Sequence, residues 1–151
     1  MQKIALFFHL LGACIWVGGH LYLLVRLMPN FIKNQDVKGF LAFEKSYEPL
    51  GMAALLLQVI TGAYLLSRFV PASLWFSPLG SLGALIHAKF LWLILTLLTA
   101  LHARFRVVAR LERGTHDDKT LKNMGVHVLL ICVWSVAFVA TGMMFRWGGA
   151  W

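Results

Sequence analysis

Polar and apolar residues fall along this chain in long blocks, without the short periods of a water-soluble fold. Three uncharged apolar stretches stand out: Ile4–Val25 between Lys3 and Arg26, Pro49–Ser67 between Glu48 and Arg68, and Asn123–Phe145 between Lys122 and Arg146. A fourth, Leu82–Ala103, is interrupted only by Lys89. Each is close to the ~20 residues an α-helix needs to cross ~30 Å of hydrocarbon. Lipid offers no partner to backbone polar groups, so a spanning segment of this length is a helix. The pattern predicts an all-α, integral-membrane four-helix bundle. It is one transmembrane domain over residues 1–151, with spans at about 4–27, 48–68, 82–104 and 122–146. Between the second and third spans, "VPASLWFSPLGSLG" carries prolines, serines and glycines that break a helix. Its Trp75 and Phe76 suit the headgroup level.

Composition agrees. Hydrophobic residues make up 60% and charged residues only 13%, against ~25% charged in soluble domains. The formal charge of +8 predicts no nucleic-acid partner here, because its distribution follows the spans. The first and third connections carry ten cations: Arg26, Lys33, Lys38, Lys45, Arg104, Arg106, Arg110, Arg113, Lys119 and Lys122. The opposite side carries three, Lys3, Arg68 and Arg146. Positive charge collects on the cytoplasmic side, so both termini are expected in the periplasm of a bacterial inner membrane. Lipid is the first expected partner, and a homo-oligomer is compatible with this layout.

The stretch Leu11-Gly12-Ala13-Cys14 has the form of a lipoprotein cleavage box. A signal peptide holds an apolar core of ~7–15 residues followed by a polar mature start. Here the apolar run continues eleven residues past Cys14, to Val25. A permanent helix is the expectation.

Ionisable residues inside a span are costly and mark function or pairing. His9, His20, His87, Lys89, His102 and His127 lie in or near the spans, whereas His116 falls in the basic connection. His9 and His87 each stand seventeen residues before the arginine ending their span, Arg26 and Arg104. They are expected at one outer level. His20, six residues from Arg26, and His127, five from Lys122, share an inner level. His102 is an alternative inner residue, two positions from Arg104. Eleven residues separate His9 from His20, or ~16 Å of helix. At ~100° per residue they share a face, with Ala13 and Trp16 on it and Gly12 beside it. Small residues there would let a flat macrocycle approach. His127, Trp134 and Thr141 form a similar stripe on the fourth span.

Neutral imidazoles at matched depth on facing helices are what a haem iron takes as axial ligands. The expectation is two b-type haems, His9 with His87 and His20 with His127, passing electrons across the membrane. Gly12, Ala13, Trp16 and Trp134 would flank the cofactors. No Cys-x-x-Cys-His is present, so covalent c-type attachment is not expected. Lys89 points ~160° from His87 at helical spacing. It is the candidate catalytic residue, partnering an anionic group such as a propionate or a quinone oxygen, with Gln58 and Thr61 as further polar lining. Copper is the rival metal, since Met28, Met52, Met143, Met144, Cys14 and Cys132 offer soft sulfur.

The segments "HLLGACIWVGGHLYLLVRLMP", "FEKSYEPLG" with "LLLQVITGAYLL", "HAKFLWLILTLLTALHARFRVVARL" and "FRWGGAW" resemble the CopD copper-resistance family of membrane proteins. The resemblance implies a short four-helix member handling copper at the inner membrane. The layout is also similar to the bacterial four-helix membrane protoporphyrinogen oxidase, in which a first-helix histidine and a third-helix lysine matter. His9 and Lys89 occupy comparable places, while His20, His87 and His127 depart from that pattern. The leading expectation is therefore a CopD-like b-type cytochrome. Its redox counterpart would be copper, quinone, an oxygen species or a partner protein. A haem-free copper transporter and a protoporphyrinogen oxidase-like enzyme are the alternatives.

Overall fold

The structure, a computed structural model, describes residues 1–77, 80–115 and 119–146, the last without its side chain. His116 and most of "FRWGGAW" lie outside the described residues. Four helices are long and apolar enough to cross a membrane: α1 (Gln2–Asn34), α2 (Val37–Ser67), α3 (Gly80–Glu112) and α4 (Thr120–Arg146). No strand occurs among the described residues. The protein is a multi-pass membrane protein.

The helices outrun the apolar stretches at the basic end. At ~1.5 Å per residue, the 33 residues of α1 extend ~50 Å, well past a ~30 Å hydrocarbon layer. Most of the cations assigned to connections therefore ride on helices. Lys and Arg are good helix formers, so charge ends the apolar run without ending the helix. The first connection shrinks to Gln35 and Asp36. Gln35 takes a left-handed φ of 50°, and the Asp36 carboxylate accepts the Gly39 N–H at 2.8 Å, capping α2. In the second connection a 3-10 turn, Ala72–Leu74, follows Pro71. The Trp75 indole N–H closes it on the Val70 carbonyl at 3.0 Å.

Two π turns interrupt the helices, Leu23–Leu27 in α1 and Ala103–Val108 in α3, both towards the basic end. The Met28 N–H reaches back five residues to the Leu23 carbonyl. Five α-helical steps would set these side chains ~140° apart. The wider turn stacks them, and Leu23 and Met28 are both buried in the same core.

Helix α1 packs along α2, α3 along α4, and α1 also meets α4. The larger core sits at the basic end, where Phe40 is fully buried in one cluster with Leu23, Met28, Val108 and Leu121. A smaller cluster around Trp16, Leu55 and Ile131 fills the middle. Large apolar side chains elsewhere face outward, as lipid contact requires. Every buried side-chain nitrogen or oxygen among the described residues has a hydrogen-bond partner.

Candidate functional site

Two histidines of α1 point into its seam with α2. The His9 Nδ1–H donates to the Gln58 carbonyl at 3.1 Å and to the Thr61 hydroxyl oxygen at 3.0 Å. Thr61 itself donates to the Leu57 carbonyl at 2.6 Å, so its oxygen is an acceptor towards His9. The His20 Nδ1–H donates to the Trp16 carbonyl at 2.8 Å. A carbonyl can only accept, so both neutral rings carry their proton on Nδ1 and keep the Nε2 lone pair. Among the described residues no hydrogen bond engages either Nε2. His9 is half-buried and His20 is 8% exposed.

Tyr47 of α2 locks the second ring. Its hydroxyl donates to the Ile15 carbonyl at 3.0 Å and the Trp16 carbonyl at 3.2 Å, and stands 3.5 Å from His20 Nδ1. Gly19 makes room, because a Cβ there would fall on the Tyr47 ring. Trp16 packs against His20, with ring centroids 4.5 Å apart. Its indole N–H donates to the Ser135 hydroxyl on α4 at 3.2 Å. Gly12 faces α2, where an added Cβ would lie 2.9 Å from Gln58 Cγ and 3.0 Å from the Ala54 oxygen. Protein already occupies that clearance. Ala13 is half-buried on the same helix.

The other sequence-expected residues go elsewhere. His87 is exposed and stacks on Phe76, with centroids 6.4 Å apart. No contact joins it to His9. Lys89 turns to α4, its Nζ 5.4 Å from the Phe138 ring and 5.7 Å from the Phe145 ring. Trp134 stacks on Trp92 at 5.7 Å, and Trp92 donates to the Thr141 hydroxyl at 3.1 Å.

His127 meets His102 instead of His20. The two rings lie nearly coplanar, edge to edge, with centroids 5.0 Å apart and His102 Nδ1 2.8 Å from His127 Nε2. The His127 Nδ1–H donates to the Asn123 carbonyl at 2.8 Å. With both rings neutral, His102 must donate and its own Nε2 stays open. Depth along the span places His102 and His127 near each other, but spacing alone does not show which ring faces which.

Among the described residues no three His, Cys, Asp or Glu side chains gather as a metal site. Cys14 is exposed and Cys132 buried. Met52 and Met143 face outward, whereas Met28 is buried in the core.

A family model described as copper resistance protein D, CopD, matches residues 41–145. The chain belongs to the CopD family. Comparison with curated proteins and with solved structures found no match. The CopD match covers nearly all of α2 and the whole of α3, and runs to the end of α4; α1, with His9 and His20, lies before it.

The "FEKSYEPLG" stretch of this CopD chain, which carries the family likeness, also supplies side chains that tie the helices together. In the structure Glu44 and Glu48 hold Arg104 of α3 at 3.8 Å and 3.0 Å, and Glu112 holds it at 3.1 Å. Tyr47 between them fixes His20. Polar residues opening an apolar span were the available signal.

The haem expectation can be tested on these side chains. An axial imidazole has its Nδ1–H tied to an oxygen and its Nε2 offered to the metal. His9 and His20 have that form. The expected partners do not face them: His87 lies against Phe76, and both nitrogens of His127 are engaged. The CopD chain thus carries two prepared imidazole donors on one helix without facing mates.

Proposed function

We propose that this CopD-family protein is a b-type membrane cytochrome, with His9 and His20 as the axial ligands of two haems. The single observation behind the proposal is the shared form of these rings, each with a tied Nδ1 and an open Nε2, eleven residues apart on the α2 side of α1. In this reading His87, and His127 or His102, would help hold the haems by turning from their present partners. Bound haem would supply one-electron chemistry. The chain's own residues do the rest. Gln58, Thr61 and the Trp16 carbonyl orient the imidazoles and raise their basicity. Tyr47 and Trp16 close the inner level from water.

The work assigned is electron transfer between the two ends of the bundle in a bacterial inner membrane, with the basic end cytoplasmic. The family's link to copper resistance makes copper the first redox counterpart to test, ahead of quinone, oxygen species or a partner protein. Purified protein is expected to show a Soret band and two haems b per chain by pyridine haemochrome assay. Bound copper with no visible spectrum would overturn this in favour of a haem-free copper transporter.

A second reading rests on His9 and Lys89, the two positions the porphyrinogen-oxidase resemblance singles out, with Lys89 held against Phe138 and Phe145 of α4. It requires oxidation of protoporphyrinogen by the purified protein, with loss of that activity in Lys89→Ala.

A further inference from the structure

Where α3 and α4 leave the apolar span at the basic end, they form a half-open cavity of about 390 Å³. That lies within the ~300–1,000 Å³ usual for ligand sites. Two stripes face each other across it. His102, Arg106 and Arg110 come from α3 at four-residue spacing, and His127, Asn123 and Lys119 come from α4 and the residue just before it, at the same spacing. Residues so spaced lie on one side of a helix. Because the helices are antiparallel, the histidines share one end of the cavity and Arg110 and Lys119 share the other.

The charge that the described residues bring to the cavity is one-sided. Among the described residues its lining holds no carboxylate. Every ion pair among them belongs to Arg104, which is turned to α2 with three carboxylates around it. Arg106, Arg110 and Lys119 make none with a described residue. Like charges held together across a partly enclosed space repel one another, and a bound anion relieves that.

We propose that this cavity binds a phosphate group, from an anionic phospholipid headgroup or from a soluble phosphate. A carboxylate is satisfied by one arginine fork. A phosphate brings up to two negative charges and three acceptor oxygens, matching three cations on two helices with the Asn123 amide beside them. The hydrogen-bonded His102–His127 pair closes the inner end, with the open Nε2 of His102 able to accept from a protonated phosphate oxygen. Its three cations and Asn123 are in place whether or not His9 and His20 hold haem, and only the histidine end would change if His102 or His127 turned to an inner haem.

The test measures thermal unfolding of the whole protein in dodecyl maltoside. It is titrated in separate arms with inorganic phosphate and with dioleoyl phosphatidic acid, using dioleoyl phosphatidylcholine as reference. A saturable rise in Tm is expected in at least one of the first two arms, because a ligand of the folded state stabilises it. A rise with phosphatidic acid alone assigns a lipid headgroup, and a rise with inorganic phosphate assigns a soluble source. The R106Q/R110Q variant is expected to weaken binding at least tenfold, whereas R113Q, outside the cavity, leaves it unchanged. If R106Q/R110Q fails to fold, K119Q in the connection takes its place. No rise in either arm, or equal weakening by R113Q, overturns the proposal.

Discussion

The ring of Tyr47 occupies the space that a side chain at Gly19 would need. This is why two unrelated-looking stretches, "VGGH" and "KSYE", work as one unit. The glycine lets the phenol cross from α2, reach the Ile15 and Trp16 carbonyls and stand beside His20.

Gly19→Ala is therefore expected to destabilise by ~1–3 kcal/mol, the usual cost of overpacking. Thermal unfolding in detergent measures it. Tyr47→Ala should cost stability alone, yet relieve most of the penalty of Gly19→Ala. Contacting residues couple in this way. Additive effects would show that the two do not meet.

The seam between α1 and α2 makes a sharper contrast among glycines. At Gly12 an added methyl meets the backbone oxygen of Ala54 at 3.0 Å, which cannot move without its helix. At Gly18 it meets nothing within 4 Å. Gly12→Ala should lower Tm. Gly18→Ala should hold it or raise it, gaining up to ~1 kcal/mol of helix propensity.

His9 and His20 separate the two haem levels of the proposed cytochrome. His9→Ala and His20→Ala should each remove one haem per chain and leave the other, as read by pyridine haemochrome. Gly62→Ala places a methyl 3.0 Å from His9 Cε1. It should shift the absorption of the His9 haem and leave that of the His20 haem in place.

Arg104 is the one cation holding α2 to α3 through charge among the described residues. Its pairs are partly exposed, and exposed pairs contribute only ~0.2–1 kcal/mol each. Arg104→Gln should lower Tm more than those pairs alone suggest, because Glu44 and Glu48 would then repel unscreened. The triple variant E44Q/E48Q/R104Q should recover most of the loss, and added salt should narrow the gap.

Much of this architecture is legible in the sequence. Uninterrupted apolar runs have no stable alternative to helices in lipid, so the four spans follow from length and composition. The face shared by His9 and His20 follows from helical spacing, and the structure turns both to α2. Pairing across helices is different. Matching depth gave His9 with His87 and His20 with His127, whereas the observed contacts are His9 with Thr61, His20 with Tyr47, and His102 with His127. Depth orders residues along a helix but carries no information on which helix lies beside which. The π turns were equally hidden, since counting at 100° per residue assumes they are absent.

Those turns have a consequence for insertions and deletions. A π turn is an α-helix holding one residue in excess. Losing one residue between Leu23 and Met28 would return α1 to regular winding with Met28 four residues on from Leu23, still on the buried face. Regular winding with every residue kept would instead turn Met28 by about 100° away from that core. The same holds for Ala103–Val108, where regular winding with every residue kept would turn Arg110 away from the facing lysine. These two short windows are where the chain can lose one residue and keep its faces.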